Sequence, residues 1–206
     1  MTAPQRLTDR KRHAILEAAA DQFRTYGFRS DQHGQDRRHR LGVSKRTVYN
    51  HFPSKDELFA ETLIQLFHSS SAGLDLPYRR DVPLREQLTA LMNLKVGMLA
   101  DKNFLDLARV AIAEAVVAPD RARPIIARIN EREEGVTLWI KAAQADGKLK
   151  PGDAAFAATL LQGQIKAVAF WPQVTMGAPP LAPEKHGALV DAAVSMFLAY
   201  FANATA

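Results

Sequence analysis

The side chains best suited to molecular recognition lie close together between positions 42 and 55. Six of the seven residues from 45 to 51 carry hydrogen-bond donors, and Ser44 and Lys55 add one donor before and one after them. These residues are Ser44, Lys45, Arg46, Thr47, Tyr49, Asn50, His51 and Lys55. A short helix there would expose amines, amides and hydroxyls, which are the groups that bind DNA phosphates and base edges. Val43, Val48 and Phe52 are the apolar residues expected to brace it.

The donors divide by the part of DNA that each would contact. We expect Thr47, Tyr49 and Lys55 to lie toward phosphates, and we expect Lys45, Arg46 and Asn50 to be candidates for base edges. His51 is equally compatible with a packing role, and any single donor could be an ordinary solvated residue.

The charge distribution agrees with a polyanionic partner. Residues 1–55 contain 12 Lys and Arg against 5 Asp and Glu, a net charge of +7, whereas the rest of the chain has 15 against 17, a net charge of −2. A basic N-terminal quarter on a near-neutral body indicates an electrostatic footprint for DNA. Charge alone is also compatible with a solvated basic surface that binds nothing.

Composition excludes several classes of protein. The chain of 206 residues has no cysteine, so disulfides, thiolate metal sites and cysteine nucleophiles are absent. No apolar run reaches the roughly 18 residues that span a bilayer, and no signal sequence is recognisable, so we expect a cytoplasmic protein. No phosphate-binding glycine loop or catalytic set is present, and residues 131–134 form a charged stretch typical of a solvated helix face. We therefore expect no enzyme activity, cofactor or metal.

The elements that position the donors are predicted to be helices throughout. A first helix begins at Thr8-Asp9 and stops at Gly27, and a capping box of Ser54 and Glu57 begins the helix after the donors. A connection covers residues 69–83. Further helices are predicted over 84–100 and 104–117, from Pro124 at a first helical position to Gly147, from Asp153 to Pro172, and over 184–203. The predicted fold is all-α with about nine helices.

Several large apolar side chains of the later helices are candidates for a ligand pocket, because helical bodies bind small molecules between helices. His68 and Glu114 are possible polar anchors. The candidates are His68, Met98, Phe104, Leu107, Glu114, Trp139, Phe170 and Trp171. For each of them, ordinary core packing is the alternative.

Several short sequence motifs of the N-terminal quarter resemble those of a known family. Ile-Leu-Glu-Ala-Ala at 15–19, Tyr-Gly-Phe at 26–28 and the run from Gly42 to Phe59 are similar to the DNA-binding domain of TetR/AcrR transcriptional repressors. The resemblance implies a helix-turn-helix domain at 1–55 and a helical domain at 56–206 that binds an effector and dimerises. It also implies a homodimer through the last two helices, about 153–172 and 184–203, on palindromic operator DNA. A small apolar effector would shift the linking helix and release the DNA.

Residues 31–41 depart from the family pattern. Positions 31–40 carry no apolar side chain, so a helix there would have no face to bury. Codons that encode 31–40, read one nucleotide later, can translate as Thr-Ser-Met-Asp-Lys-Ile-Ala-Ala-Thr-Ala, which is the family motif. We hypothesise a compensated frame error, and resequencing codons 28–44 tests it.

Two other interpretations of this stretch are possible. As printed, it would impair DNA binding and leave a helical dimeric interaction module. His33, Asp36 and His39 could also form part of a metal site, although a fourth ligand is missing.

Overall fold

The computed structural model describes residues 3–29, 45–71, 76–130 and 135–203. Within these ranges the chain forms ten helices and no strand, which confirms the predicted all-α fold. The helices are α1 (Ala3–Tyr26), α2 (Lys45–His51), α3 (Lys55–Ser71), α4 (Leu84–Ala100), α5 (Lys102–Val117), α6 (Pro119–Asn130), α7 (Gly135–Ala145), α8 (Ala154–Ala169), α9 (Trp171–Met176) and α10 (Pro183–Phe201). The altered stretch 31–41, with its His33, Asp36 and His39, lies outside the described residues.

The chain divides into two compact units. The N-terminal unit comprises the chain up to Ser69 together with Asp106–Ile129, and the C-terminal unit comprises Ser70–Leu105 and the chain from Asn130 onward. Helix α5 therefore contributes residues to both units. Among the helices that the structure describes, none is long and apolar enough to cross a membrane.

The core of the N-terminal unit is aromatic. The Phe59 ring centroid lies 4.9 Å from that of Phe23 and 4.7 Å from that of Phe28. Leu107 of α5 and Ile125 of α6 are buried in the same cluster. Because fully burying one such side chain contributes about 1.5–3 kcal/mol, this cluster is a major source of stability for the unit.

The C-terminal unit is built around α8. This helix packs against α4, α7, α9 and α10, and α10 also packs against α4. Leu88, Leu161, Ile165 and Val194 are fully buried between these helices. The connection after α7 is attached to the end of α10, since the Lys150 N–H donates to the Phe201 carbonyl at 2.8 Å.

Several predicted helix ends are confirmed. Gly27 and Gly147 have φ of +71°, the left-handed conformation in which a side chain is strained, and each lies just beyond a helix. Asp153 accepts hydrogen bonds from the N–H groups of Ala155 and Phe156. The Ser54 hydroxyl accepts from the Glu57 N–H at 3.0 Å, which is one half of the predicted capping box.

Other boundaries differ from the prediction. Helix α1 begins at Ala3, five residues before the predicted start at Thr8. Pro119 occupies the first helical position of α6 and Pro124 lies inside that helix, so the prediction that Pro124 begins a helix is wrong. Over the predicted helix from 124 to 147, the described residues belong to α6 and α7, and residues 131–134 lie outside the described residues. Pro172 lies in the first turn of the short helix α9, which begins at Trp171, rather than only ending α8.

Candidate nucleic-acid interface

Helix α2 is held by two apolar side chains on one side. Val48 is 7% exposed and Phe52 is 1% exposed, and both pack against Ile15 and Leu16 of α1. The Phe52 N–H donates to the Val48 carbonyl at 2.9 Å, which continues the helical turn through Phe52. Because α2 has only seven residues, tertiary packing rather than intrinsic propensity must stabilise it.

The opposite side of α2 carries polar side chains. Arg46, Tyr49 and Asn50 are exposed, and Thr47 and His51 are half-buried. Residues 46, 49 and 50 are spaced by three and four positions and therefore lie on one helix face. The arrangement presents a guanidinium, a phenol and an amide to solvent on a rigidly mounted helix.

Two of the predicted DNA-binding residues are not fully described by the structure. Ser44 lies outside the described residues, and Lys45 begins α2 with its side chain outside them. Lys55, at the start of α3, is half-buried, and its ammonium lies 4.9 Å from the centroid of the Phe28 ring. A cation in this position is attracted to the face of the ring.

A first ion-pair group connects α1, α3 and α6. Glu61 of α3 binds both Arg12 and Arg128, and Arg128 also lies 3.2 Å from the Glu57 carboxylate. Burial alone raises the pKa of Glu61, but the hydrogen bonds and positive charges of Arg12 and Arg128 outweigh this effect and leave the pKa lowered. Glu61 is therefore held as a carboxylate between two cations.

A second ion-pair group surrounds Glu114 of α5. This residue is 5% exposed and binds Arg121 of α6, and its other oxygen lies 3.2 Å from Nε of Arg29. Arg121 also lies 2.8 Å from the Asp56 carboxylate, and its guanidinium stands 4.8 Å from the centroid of the Phe28 ring. Arg121 thus joins α5 and α6 to the first turn of α3.

An apolar cleft of about 160 Å³ lies between α3, α5 and α6 within the N-terminal unit. Its lining residues are Phe59, Leu63, Ala111, Ile112, Glu114, Ala115, Arg121, Ala122, Ile125, Ile126 and Ile129. Among the lining residues that the structure describes, Glu114 and Arg121 are the charged ones. The cleft can accommodate a small apolar group beside an ion pair.

The predicted pocket residues fall into separate places. Glu114 lines this cleft, whereas Leu107 is buried in the aromatic cluster of the same unit and His68 is half-buried on α3. In the C-terminal unit, the Phe170 ring centroid lies 6.2 Å from that of Phe104 and 5.2 Å from that of Trp171. These three rings are brought together.

The remaining two candidates lie in the C-terminal unit. Met98 is half-buried on α4. Trp139 is 2% exposed, donates its indole N–H to Gln87 at 3.1 Å and meets the Tyr78 ring edge-on. A fully buried indole with a satisfied N–H is typical of a core residue.

Comparison with known proteins decides the family. The model described as bacterial regulatory proteins, tetR family, matches residues 39–62. The model described as the C-terminal domain of AefR-like transcriptional repressors matches residues 86–203, more than half of the chain. The chain belongs to the TetR family of transcriptional regulators. The first of these matches contains α2 and all eight predicted DNA-binding residues, from Ser44 to Lys55.

Several solved structures are similar to this chain over most of its length. A regulator from Pseudomonas syringae pv. tomato str. DC3000 is 45% identical, with 94% of this chain and 97% of that chain covered and a TM-score of 0.77. A structure from Mesorhizobium loti MAFF303099 is 23% identical, with 95% and 98% covered and a TM-score of 0.78. The flavonoid-responsive regulator FrrA is 23% identical, with 95% and 99% covered and a TM-score of 0.73. The comparison with curated proteins finds no significant match.

Membership of the TetR family confirms the expectation of a transcriptional regulator rather than an enzyme. Sequence reasoning did not identify Arg121 and Arg128 as residues of interest. Both lie on α6, and their partners Asp56, Glu57 and Glu61 lie at least 60 positions away in the sequence. The only local signal was the arginine content of α6, which is equally typical of a solvated helix.

Proposed function

We propose that this TetR-family regulator is a ligand-responsive repressor that binds palindromic operator DNA as a homodimer and is released by a small apolar effector. Residues 1–55 form the DNA-binding domain, and residues 56–206 form the domain for effector binding and dimerisation. The observation that carries this proposal is the polar face of α2, exposed opposite the buried Val48 and Phe52. A helix so mounted can enter the major groove as a rigid body.

The DNA contacts divide as the side-chain chemistry suggests. Arg46 and Asn50 are both exposed and lie one turn apart, so they can reach neighbouring base edges, and Lys45 precedes them. Thr47, Tyr49 and Lys55 contact phosphates, and Ser44 and His51 are the remaining predicted DNA-binding residues. Phosphate contacts set the affinity and its salt dependence, whereas base contacts set the specificity.

The dimer interface uses α8 and α10. Both helices carry large apolar side chains on their solvent-exposed sides, and α8 has a single charged residue, Lys166. These exposed side chains are Phe156, Leu160, Val168, Met196 and Tyr200. Contiguous exposed apolar patches on a soluble protein mark association sites, and a second copy of the same face is the partner that the family provides.

The effector site is the apolar cleft between α3, α5 and α6. Its walls include Phe59 of α3, the helix that follows the DNA-binding domain directly. An occupant that separates α5 and α6 from α3 would strain the pairs of Arg121 with Glu114 and Asp56. The start of α3 would then shift, and α2 would follow because only three residues lie between them.

A retardation experiment tests DNA binding and the altered segment together. The chain as printed and a version with Thr-Ser-Met-Asp-Lys-Ile-Ala-Ala-Thr-Ala at 31–40 are each incubated with the DNA upstream of their own gene. We expect retardation that weakens steeply with salt and a complex containing two chains. Retardation by the second version alone would identify 31–41 as the damaged part. A folded dimer that fails to retard the DNA in both versions at low salt would contradict the proposal and favour the interaction module.

A further inference from the structure

The C-terminal unit contains a second cleft, of about 450 Å³. It lies between the loop before α4, the connection after α7 and the end of α10. Its lining residues are Tyr78, Arg80, Asp81, Val82, Pro83, Leu84, Arg85, Lys148, Leu198 and Ala202. This volume is within the usual range of small-molecule sites, about 300–1,000 Å³.

The first cation that lines the cleft is Arg80, which is paired with a carboxylate outside the lining. Its Nε lies 2.6 Å from Asp146, whose side chain is 11% exposed and also accepts a 2.6 Å hydrogen bond from the Tyr78 hydroxyl. Burial and this hydrogen bond to a carboxylate raise the pKa of Tyr78 to about 12, so the hydroxyl remains a donor. The terminal nitrogens of Arg80 contact no acceptor among the residues that the structure describes, and the side chain is 80% exposed.

The second cation, Arg85, is held in a similar way by α10. One of its terminal nitrogens lies 3.1 Å from Asp191 and 2.9 Å from the Ser195 hydroxyl. Its Nε and second terminal nitrogen have no partner in the described part of the chain. Both arginines are therefore paired through one nitrogen each and have donors still available.

Lys148 gives the cleft its excess positive charge. Asp81, the acid among the described lining residues, binds Arg79 at 2.8 Å. Outside the lining, Asp146 binds Arg80 and Asp191 binds Arg85. Within the described ranges, no acid pairs with the Lys148 ammonium, while its backbone N–H and carbonyl are fixed by Ala143 and Asn203. The remaining wall, which includes Val82, Leu84 and Leu198, is apolar.

We propose that this cleft binds a small organic carboxylate with an apolar tail. Two positioned guanidinium groups with open donors match the planar, two-oxygen geometry of a carboxylate, and Lys148 supplies the unbalanced charge. The apolar wall would cover the tail. This site is additional to the effector cleft of the N-terminal unit and does not depend on DNA binding.

Calorimetric titration of the full-length protein with octanoate and with octylamine tests the proposal, because the two probes share a tail and carry opposite charges. We expect saturable binding of octanoate and none of octylammonium. Lys148→Met and Arg80→Gln should each weaken octanoate binding at least tenfold. Lys185→Met, which removes an exposed lysine of α10 outside the cleft, should leave the affinity unchanged.

Thermal unfolding of each variant establishes that it is folded, and the Lys148 substitution keeps the backbone hydrogen bonds of that residue. Equal binding of the two probes, absence of saturable octanoate binding, or unchanged affinity in both cleft variants would overturn the proposal. None of these outcomes affects the proposed DNA binding.

Discussion

The Nε atom of Arg121 lies 2.8 Å from a carboxylate oxygen of Asp56, so α6 is joined to the first turn of α3. The same guanidinium binds the buried Glu114, which lines the apolar cleft. One side chain therefore contacts both the wall of the proposed effector site and the helix that follows α2. This connection leads to the first and third predictions below, and the neighbouring ion-pair group of Glu61 leads to the second.

Replacing Arg121 with alanine should destabilise the N-terminal unit. Glu114 would remain buried with Arg29 as its only described partner, and loss of a partner by a buried polar group costs about 1–3 kcal/mol. Urea denaturation measures the loss in the free energy of unfolding. Arg123→Ala removes an exposed arginine of the same helix, paired locally with Asp120, and should change stability by less than about 0.5 kcal/mol. Equal effects of the two substitutions would contradict a special role for Arg121.

The free energy of unfolding should decrease at acidic pH because Glu61 becomes protonated. The folded-state pKa of Glu61 is lowered. Glu61 therefore contributes to the free energy of unfolding above its unfolded-state pKa, near 4.5, and this contribution is lost as pH falls through the folded-state pKa. Urea denaturation between pH 7 and pH 3 should show this loss for the native chain and a shallower loss for Glu61→Gln. Glu17→Gln, which removes an exposed carboxylate of α1, should keep the native pH dependence. Superimposable curves for the native chain and Glu61→Gln would rule out this contribution.

Filling the apolar cleft should imitate an effector. Ala115 of α5 lines the cleft, and a phenylalanine there would occupy much of its volume of about 160 Å³. We expect Ala115→Phe to weaken DNA binding about tenfold in a folded protein, as measured by fluorescence anisotropy. Ala113→Phe places the same ring at an exposed position of the same helix and should leave the affinity unchanged. Full DNA affinity in folded Ala115→Phe would argue against the cleft as the effector site.

A charge on the apolar face of α8 and α10 should dissociate the dimer. Phe156 is 59% exposed and Tyr200 is 70% exposed within one chain, so Phe156→Glu and Tyr200→Glu should leave the fold intact. Sedimentation equilibrium should give the mass of a dimer for the native protein and of a monomer for either variant. Val116→Glu charges an exposed apolar residue of α5 and should not change the mass. Unchanged mass in both interface variants would place the dimer elsewhere.

The sequence was sufficient for features that depend on neighbouring residues. Ile15, Leu16 and Phe23 recur at helical spacing, which indicates the face of α1 that is buried, and Gly27 predicted the end of this helix. The cap at Asp153 was likewise recognisable because its partners lie two and three residues away. Local features of this kind are encoded within one or two helical turns.

Features that depend on distant residues could not be predicted. The partners of Arg121 and Arg128 come from other helices, and nothing in the spacing of α6 distinguishes these arginines from Arg123. The role of Trp139 was also open, because its burial and its hydrogen bond to Gln87 depend on how α7 packs near the start of α4. Pro119 and Pro124 are both compatible with a first helical position, and the residues around them do not indicate which one begins α6.

The most direct test of the DNA-binding role of α2 is fluorescence anisotropy of the protein with its own upstream DNA and with a shuffled sequence of equal length. Arg46→Ala and Asn50→Ala should each weaken binding to the upstream DNA about tenfold or more, since a base contact is worth about 1–3 kcal/mol. They should change binding to shuffled DNA far less, and Arg123→Ala should change neither. If both α2 variants discriminate between the two DNAs as well as the native protein does, α2 does not read the operator.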